Sequence, residues 1–209
     1  MQPKISLGQT PLIAVIIGFV LSLTILFCFV PKNTIQSSST PFINENKPVK
    51  TIINPDQEKV NYGLPMRLKI PEINVDATID NAGLTPDGTM ESPKSPSGVV
   101  WYKLGARPGE IGSAVIAGHY GTWKNGEKSV FDDLSKLNPG DKIYIEDDMG
   151  KTTTFVLKNS QSYDPSADAS GVFNSNDGKS HLNLVTCEGI WNPISQSYSK
   201  RLVMFADKE

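Results

Sequence analysis

The chain has 209 residues, of which 38% are hydrophobic, enough for one compact domain with appended segments. Its 20 Lys and Arg residues against 22 Asp and Glu residues give a net charge of -2. This balance excludes the strongly basic surface that proteins use to bind nucleic acid, so we expect no nucleic acid among its partners.

An apolar segment near the amino terminus, residues 11–30, contains no charged residue. At roughly 1.5 Å per residue, a helix of this length spans a bilayer core of about 30 Å. A cleaved signal peptide is the alternative, but it has a shorter apolar core and small residues before the cleavage site, whereas Phe27, Phe29 and Val30 are bulky. We predict a single-pass transmembrane signal anchor at 11–30, a short cytoplasmic terminus at 1–10, and an extracellular remainder.

Two further segments follow the predicted anchor. Residues 31–60 are rich in Ser, Thr, Asn, Pro and Lys and lack apolar periodicity, which predicts a flexible extracellular stalk. Residues 61–209 alternate short apolar runs with clusters of Pro, Gly, Asn and Asp, a pattern typical of an all-β barrel or sandwich. The predicted strands are Met66–Ile70, Val75–Ile79, Gly98–Trp101, Ser113–Ala117, Lys142–Glu146, Thr152–Lys158, His181–Thr186 and Leu202–Ala206.

Helical patterns are scarce in this domain. Ser129 is placed to cap a helix in which Val130, Phe131, Leu134 and Leu137 fall near helical spacing. Farther along, residues 162–178 form a long irregular connection, in which Ala167–Val172 has the composition of a helical turn. Long connections of this kind often shape binding sites.

Cys187 is the one cysteine outside the predicted membrane segment, so it has no intrachain disulfide partner in a compartment where disulfides are usual. A buried inert cysteine is the alternative reading. However, Cys187 follows the strand His181–Thr186 and precedes Gly189, and strand ends that open onto loops often present reactive groups. The position favours a nucleophile.

A thiol attacks as the thiolate and needs a base or a cation nearby. The chain has two histidines, and His181 lies six residues before Cys187 in the same predicted strand, roughly 20 Å away at about 3.3 Å per residue. His119 instead follows the apolar run Ser113–Ala117 at a strand end opening onto a loop. We therefore predict His119, and not His181, as the partner of the thiol.

Arg201 opens the last predicted strand, after a loop of about a dozen residues from Cys187. If the two strands pair antiparallel, Arg201 returns to the side of Cys187. Most arginines at strand edges are solvated, but this chain otherwise prefers lysine, and the planar fork of arginine suits a carbonyl oxygen or an oxyanion. We predict Arg201 as the cationic stabiliser.

These residues resemble the sortase family. The resemblance rests on the run Leu184–Cys187 (LVTC), the Gly118-His119 step, an arginine opening the last strand, and the opening Arg67–Ile73, and it covers residue 63 to the end. The usual motif is Thr-Leu-x-Thr-Cys, and Asn183 stands where the first Thr is expected. The Glu188-Gly189 step and the short chain end are most similar to class D and class F members.

The resemblance implies an all-β fold, an eight-stranded closed barrel with short helices, and no cofactor. It implies that Cys187 attacks the Thr-Gly bond of an LPxTG-like sorting signal, that His119 protonates the leaving amine and that Arg201 steadies the substrate carbonyl. An amine of a peptidoglycan precursor or of a pilin then resolves the thioacyl intermediate. Substrate contacts are implied for Leu184, Thr186 and Glu188.

Other functions fit the residues less well. L,D-transpeptidases also use Cys with His, but in a Ser-x-Gly-Cys setting that Val185-Thr186-Cys187 does not match, and NlpC/P60-like peptidases place Cys before His in the chain. A non-enzymatic, membrane-tethered barrel that binds wall polymer or peptide, with Cys187 buried, is the alternative from another class. The carboxylates Glu146, Asp147 and Asp148 raise calcium as an alternative, but such a run is typical of a solvated turn, and we predict no metal.

Overall fold

The computed structural model describes residues 60–123 and 126–209. The predicted cytoplasmic terminus, membrane anchor and all but the last residue of the predicted stalk lie outside this part of the chain. Within it, no helix combines the length and the apolar character that crossing a bilayer requires.

Eight strands close into a barrel, as the family resemblance implied. Each predicted strand is present, and several extend beyond the predicted ends. The only α-helix of the described residues is a single turn that overlaps the predicted Ala167–Val172 but begins three residues later and ends one residue later. The bounds are β1 Pro65–Ile70, β2 Val75–Ala82, β3 Val99–Tyr102, β4 Gly112–Gly118, β5 Lys142–Asp147, β6 Thr152–Tyr163, α1 Ser170–Phe173, β7 Ser180–Asn192 and β8 Ser197–Lys208, with 3-10 turns at Pro71–Ile73 and Leu134–Lys136. The order of the strands around the barrel is β1-β2-β3-β4-β7-β8-β6-β5.

Strand alternation separates an inner from an outer face of the barrel. The inner side chains of β7 and β8, such as Leu182 and Met204, are almost fully buried in the main core. On the outer face, Val115 and Val203 form a second apolar cluster with Val172 of α1. The segment between β6 and β7 therefore covers one side of the barrel wall, and its single helical turn supplies the apolar contact.

The β7–β8 connection differs from the predicted dozen-residue loop. β7 continues past Cys187 to Asn192 and β8 begins at Ser197, so the two strands form a long hairpin in which Trp191 pairs with Tyr198. The hairpin projects beyond the barrel, and Ile194 at its tip is 94% exposed. Because the extension is not buried on one face, its sequence lacks the alternation that would predict a strand.

The helix predicted from Ser129 to Leu137 is wrong. The structure has turns and one 3-10 turn at Leu134–Lys136. The Ser129 hydroxyl donates to the carbonyl of Gly121 and does not cap a helix. The amide of Phe131 donates to the carbonyl of His119, 3.1 Å away. Because these groups bond to the neighbouring loop, they anchor the segment beside the end of β4 and do not nucleate an α-helix.

Candidate active site

Three neighbouring strands bring the predicted catalytic residues to one end of the barrel. β4 and β7 run parallel, with Ala117 opposite Val185. Two residues farther along the two chains, His119 and Cys187 therefore lie at the same level. β8 is antiparallel to β7 and places Arg201 opposite Cys187, so the strand pairing on which the arginine prediction depended is confirmed.

The site lies on the outer face of the barrel. Leu184 and Thr186 of β7 are buried inside it. Side chains of a strand alternate between the two faces, so Val185 and Cys187 point outward. Arg201 is directly paired with Cys187 in the register and shares its face. The thiol is therefore presented to a ligand that binds along the outside of the barrel wall.

A buried hydrogen bond joins the strand ends that carry the cysteine and the histidine. The Thr186 hydroxyl donates to the carbonyl of Gly118, 2.8 Å away. A side chain at Gly118 would overlap the ring of Phe131. The close approach requires glycine at this position, and it fixes the backbone immediately before His119.

The Cys187 thiol is half-buried and is not part of a disulfide. Burial raises the pKa of the thiol above its ordinary value, while the positive charge of Arg201 acts in the opposite direction. With its pKa raised, the resting thiol is mostly protonated at neutral pH, so attack needs a group that takes its proton. His119, which the strand register sets level with the thiol, is the candidate for this group.

His119 is held by a backbone carbonyl and an aromatic ring. Its Nε2 lies 2.8 Å from the carbonyl oxygen of Pro93, in the β2–β3 connection. A carbonyl only accepts, so Nε2 carries a proton in this arrangement. The ring also packs against Trp123, with centroids 4.9 Å apart. Nδ1 is then the nitrogen available to exchange a proton with a reacting group.

Arg201 supports the hairpin as well as facing Cys187. Its Nη1 donates to the carbonyls of Tyr198, at 3.0 Å, and of Lys200, at 2.9 Å. Its Nη2 donates to the hydroxyl of Ser197 at 3.0 Å. These bonds fix the plane of the guanidinium and leave Nε–H and the second Nη2–H to meet a ligand. Lysine has no comparable fork of donors.

Tyr198 forms an aromatic wall beside the thiol. Its ring packs edge-to-face on Tyr120 and Trp191, with centroid separations of 5.2 and 5.1 Å. The pKa of Tyr198 is raised by burial and then by the negative charge that Cys187 acquires as thiolate. Gly121 is required here, because a side chain in its place would collide with the Tyr198 hydroxyl. The rings therefore interlock the His119 loop with the hairpin.

A cavity of about 460 Å³ lies on the outer face of β7 and β8, where Val185, Arg201 and Val203 line it. Most of its lining is apolar, and the polar residues are few. One wall comes from the β6–β7 segment and the opposite wall from the β2–β3 connection. The lining includes Leu84, Met90, Tyr102, Val172, Phe173, Val185, Arg201 and Val203. This lining suits a ligand with apolar groups that also meets the guanidinium of Arg201.

The other predicted site residues occupy different positions. Leu184 lies in the barrel core and Thr186 is also buried, so neither side chain is exposed to a ligand in this structure. Glu188 is partly exposed on the hairpin and accepts a hydrogen bond from the Ser162 hydroxyl. His181 sits at the opposite end of β7, where its ring nitrogens face Asp207 at 2.7 Å and Asp177 at 3.0 Å.

Sequence reasoning did not find Pro93, Trp123 or Tyr198. Pro93 acts through its backbone carbonyl, which no residue-type pattern reveals. The aromatic residues Tyr120 and Trp123, next to His119 in the chain, were a usable signal for a packed histidine loop. Tyr198 lies in the region taken for a loop, so its position beside Cys187 depended on the unpredicted hairpin.

The clustered carboxylates near β5 are engaged by the protein itself. Asp147 accepts from the amides of Met149 and Lys151, at 3.0 and 2.8 Å. Asp148 accepts from the amide of Leu64 at 2.8 Å. These bonds close the β5–β6 turn and fasten the start of the described chain to it, which is a structural use of the acidic run.

Comparison with known proteins decides the family. A model of the sortase domain matches residues 68–209, about two thirds of the chain. The chain belongs to the sortase family. Sortases are cysteine transpeptidases. No match was found among curated proteins.

Solved sortase structures share the fold at low sequence identity. Sortase C1 of Streptococcus agalactiae in complex with MTSET is 24% identical over 69% of this chain and 66% of its own, with a TM-score of 0.54. Sortase C-1 of Actinomyces oris is 23% identical over 72% and 76%, with a TM-score of 0.55. The sortase D5 transpeptidase of Clostridium perfringens is 24% identical over 70% and 79%, with a TM-score of 0.52. The chain thus spans just under two thirds of the first of these proteins.

Proposed function

We propose that this sortase cleaves an LPxTG-like sorting signal at the Thr-Gly bond and transfers the new carboxyl end to an amine. The observation that carries the proposal is the register, which sets Arg201 opposite Cys187 and His119 level with it, while Arg201 also lines an apolar cavity. Nucleophile, proton carrier and cation thus converge where a bound peptide carbonyl would lie.

The first step forms a thioacyl enzyme. His119 takes the proton of Cys187, and the thiolate sulfur bonds to the carbonyl carbon of the substrate Thr. The carbonyl oxygen becomes an oxyanion, which the remaining N–H groups of Arg201 stabilise. As the oxyanion collapses, the Thr-Gly C–N bond breaks and the imidazolium of His119 gives its proton to the leaving amine. Because Nε2 stays bonded to the Pro93 carbonyl, Nδ1 is the natural proton carrier.

The second step releases the product. The nitrogen of the acceptor amine attacks the thioacyl carbon and its proton passes to His119. The C–S bond then breaks, and the imidazolium returns the proton to the sulfur of Cys187. An amine of a peptidoglycan precursor or of a pilin is the proposed acceptor. Both steps use the same three side chains, so the reaction needs no cofactor.

The cavity supports the LPxTG class of donor. Its apolar lining near Val172 and Val203 suits the Leu and Pro side chains of the signal, and Arg201 in the same lining would meet the Thr carbonyl.

We also propose that residues 11–30 hold the protein in the cell membrane, with the barrel outside the cell. Alkaline extraction and external protease treatment of cells test this placement: the chain should stay in the membrane fraction while the barrel is accessible.

The activity is tested by incubating the protein with LPxTG-like peptides and several amines, with products identified by mass spectrometry. We expect cleavage after Thr and a new amide bond to the added amine. A folded C187A variant is the control. If no peptide of this class is cleaved, or if cleavage survives in C187A, the proposed function is wrong.

A further inference from the structure

The β6–β7 segment, residues 164–179, forms one wall of the cavity beside Arg201. Its helical turn α1 places Val172 and Phe173 in the lining. Val172 is 2% exposed and packs against the outer face of the barrel, and Phe173 packs edge-to-face on Tyr102 at 5.3 Å. A helix of one turn has little stability of its own, so its position depends on contacts with the barrel.

A buried amide supplies one such contact. Asn183 of β7 is 2% exposed, and its Nδ2 lies 2.6 Å from the carbonyl oxygen of Val172. The register places Asn183 between Val115 of β4 and Phe205 of β8. An amide in such an apolar strip is unfavourable unless it is hydrogen-bonded. The bond to α1 therefore accounts for a polar side chain at this position.

The same residue explains the departure from the sortase motif. The motif has Thr where this chain has Asn183. A Thr hydroxyl is attached one covalent bond nearer the backbone than the Asn amide nitrogen, so it reaches less far toward α1. The Oδ1 atom of Asn183 is buried without a protein partner among the described residues, so the stabilising contact of this side chain is the one made by its nitrogen.

We propose that Asn183 is a positioning residue for donor recognition, which holds α1 against the barrel and so sets the wall of the donor cavity formed by Val172 and Phe173. The proposal rests on the proposed function for its substrate, but the contact itself does not. Asn183 is four residues before Cys187 on the same strand and acts through α1. It therefore governs how well the donor peptide binds, and the rate of the chemical steps changes little.

The test compares N183T and N183D with wild type in the full-length protein. Both should raise KM for the donor peptide by about fivefold to fiftyfold, the size expected when a buried carbonyl loses its donor, with kcat within about twofold. In N183D the carboxylate cannot donate at neutral pH, but its protonated form can. Its KM, relative to wild type, should therefore fall as the pH is lowered. Alkylation of Cys187 by a small reagent should keep its wild-type rate.

Amide hydrogen exchange gives a measurement that does not depend on turnover. Residues 164–175 should exchange faster in both variants, while β4 and the rest of the barrel keep wild-type protection. N176T is the matched control, since Asn176 is an exposed residue of the same segment, and it should change neither KM nor exchange. If wild type cleaves no peptide, the proposed function fails, and peptide affinity measured on C187A with and without N183T replaces KM.

Three outcomes would overturn the proposal. Unchanged exchange in residues 164–175 would show that Asn183 does not hold α1. Faster exchange with unchanged KM and peptide affinity would show that α1 does not set the donor cavity. A loss confined to kcat would assign Asn183 to the chemistry. If N183D fails to fold, N183T alone decides among these outcomes.

Discussion

The two ends of β7 place two histidines in opposite environments. At the start of the strand, His181 lies between the carboxylates of Asp177 and Asp207. Beside the far catalytic end, His119 meets the carbonyl of Pro93 and the indole of Trp123. Two carboxylates favour the imidazolium form of His181, whereas the single carbonyl beside His119 engages only one of its ring nitrogens. This difference in environment is the basis for proposing His119, and not His181, as the proton carrier.

The surroundings of Cys187 also affect its proton. Burial at the catalytic end raises the pKa of Cys187 and Arg201 offsets it only in part. A half-buried thiol with a raised pKa is a weak nucleophile until its proton is removed. In the proposed reaction, the Cys187 end of β7 therefore depends on proton transfer, while the His181 end carries a fixed charge.

The largest expected effect is that of C187A. Cleavage and transfer should both be abolished, since only the sulfur forms the thioacyl intermediate, while the melting temperature stays near that of wild type. Activity assays with circular dichroism melting check both points. Turnover retained by C187A would show that the nucleophile lies elsewhere.

Next comes the direct comparison of the two histidines. H119A should lower kcat/KM by about a hundredfold to ten-thousandfold, because the leaving amine then departs without general acid help. H181Q should keep most of the activity, since its contacts are with Asp177 and Asp207. Peptide cleavage is measured for both variants. If H119A keeps most of the activity and H181Q loses it, His181 is the proton carrier and the proposal for His119 is wrong.

R201K should have an intermediate effect. The positive charge remains, but the planar fork that faces a substrate oxygen is lost, so turnover should fall by about tenfold to a thousandfold. The fork also bonds to the hairpin through Tyr198 and Ser197, so cleavage and thermal melting must be measured side by side. If R201K cleaves the peptide at nearly the wild-type rate and melts at the wild-type temperature, Arg201 is not part of the active site.

The smallest effect concerns stability and pH at the His181 end. Burial lowers the pKa of His181, but hydrogen bonds to Asp177 and Asp207 outweigh it and the pKa is raised. The hydrogen bond with His181 in turn holds the pKa of Asp177 well below its usual range. A raised histidine pKa stabilises the fold fully below about pH 6.5, and this stability is lost as pH rises through the folded pKa. The Asp177 contribution is present above about pH 4 and is lost on acidification.

The corresponding measurement is the melting temperature of H181Q against wild type across pH. The deficit of H181Q should be largest, on the order of 2 °C, between about pH 4.5 and 6.5 and should shrink above neutral pH. Asn176, exposed in the adjacent segment, provides the control N176Q. A deficit that is constant or that grows with pH would contradict the imidazolium assignment.

The strands of the barrel could be predicted because one face of each is buried, which imposes alternation on runs such as Leu182 to Leu184. The hairpin beyond Cys187 could not, since neither face of residues 189–192 is covered. The helix expected after Ser129 failed because its first polar groups bond to the histidine loop. Local periodicity carries no information about such tertiary partners.

The candidate site also contains residues that the sequence could identify and partners that it could not. Cys187, His119 and Arg201 could be selected from residue type and strand position, and the register agrees with that selection. The partners that orient them could not, because the Pro93 carbonyl and the Tyr198 ring approach from separate segments of the chain. Asn183 stood out only as a departure from a motif, and its contact with α1 required the structure.

The central claim is a thioacyl enzyme on Cys187, and intact-protein mass spectrometry of a quenched reaction tests it most directly. Mixing the protein with an LPxTG-like donor and no added amine should produce an adduct equal in mass to the donor up to its Thr residue. Proteolytic mapping should place the adduct on Cys187, and adding an amine should discharge it into the transfer product. Cleavage without any adduct, or an adduct that persists in C187A, would contradict the account.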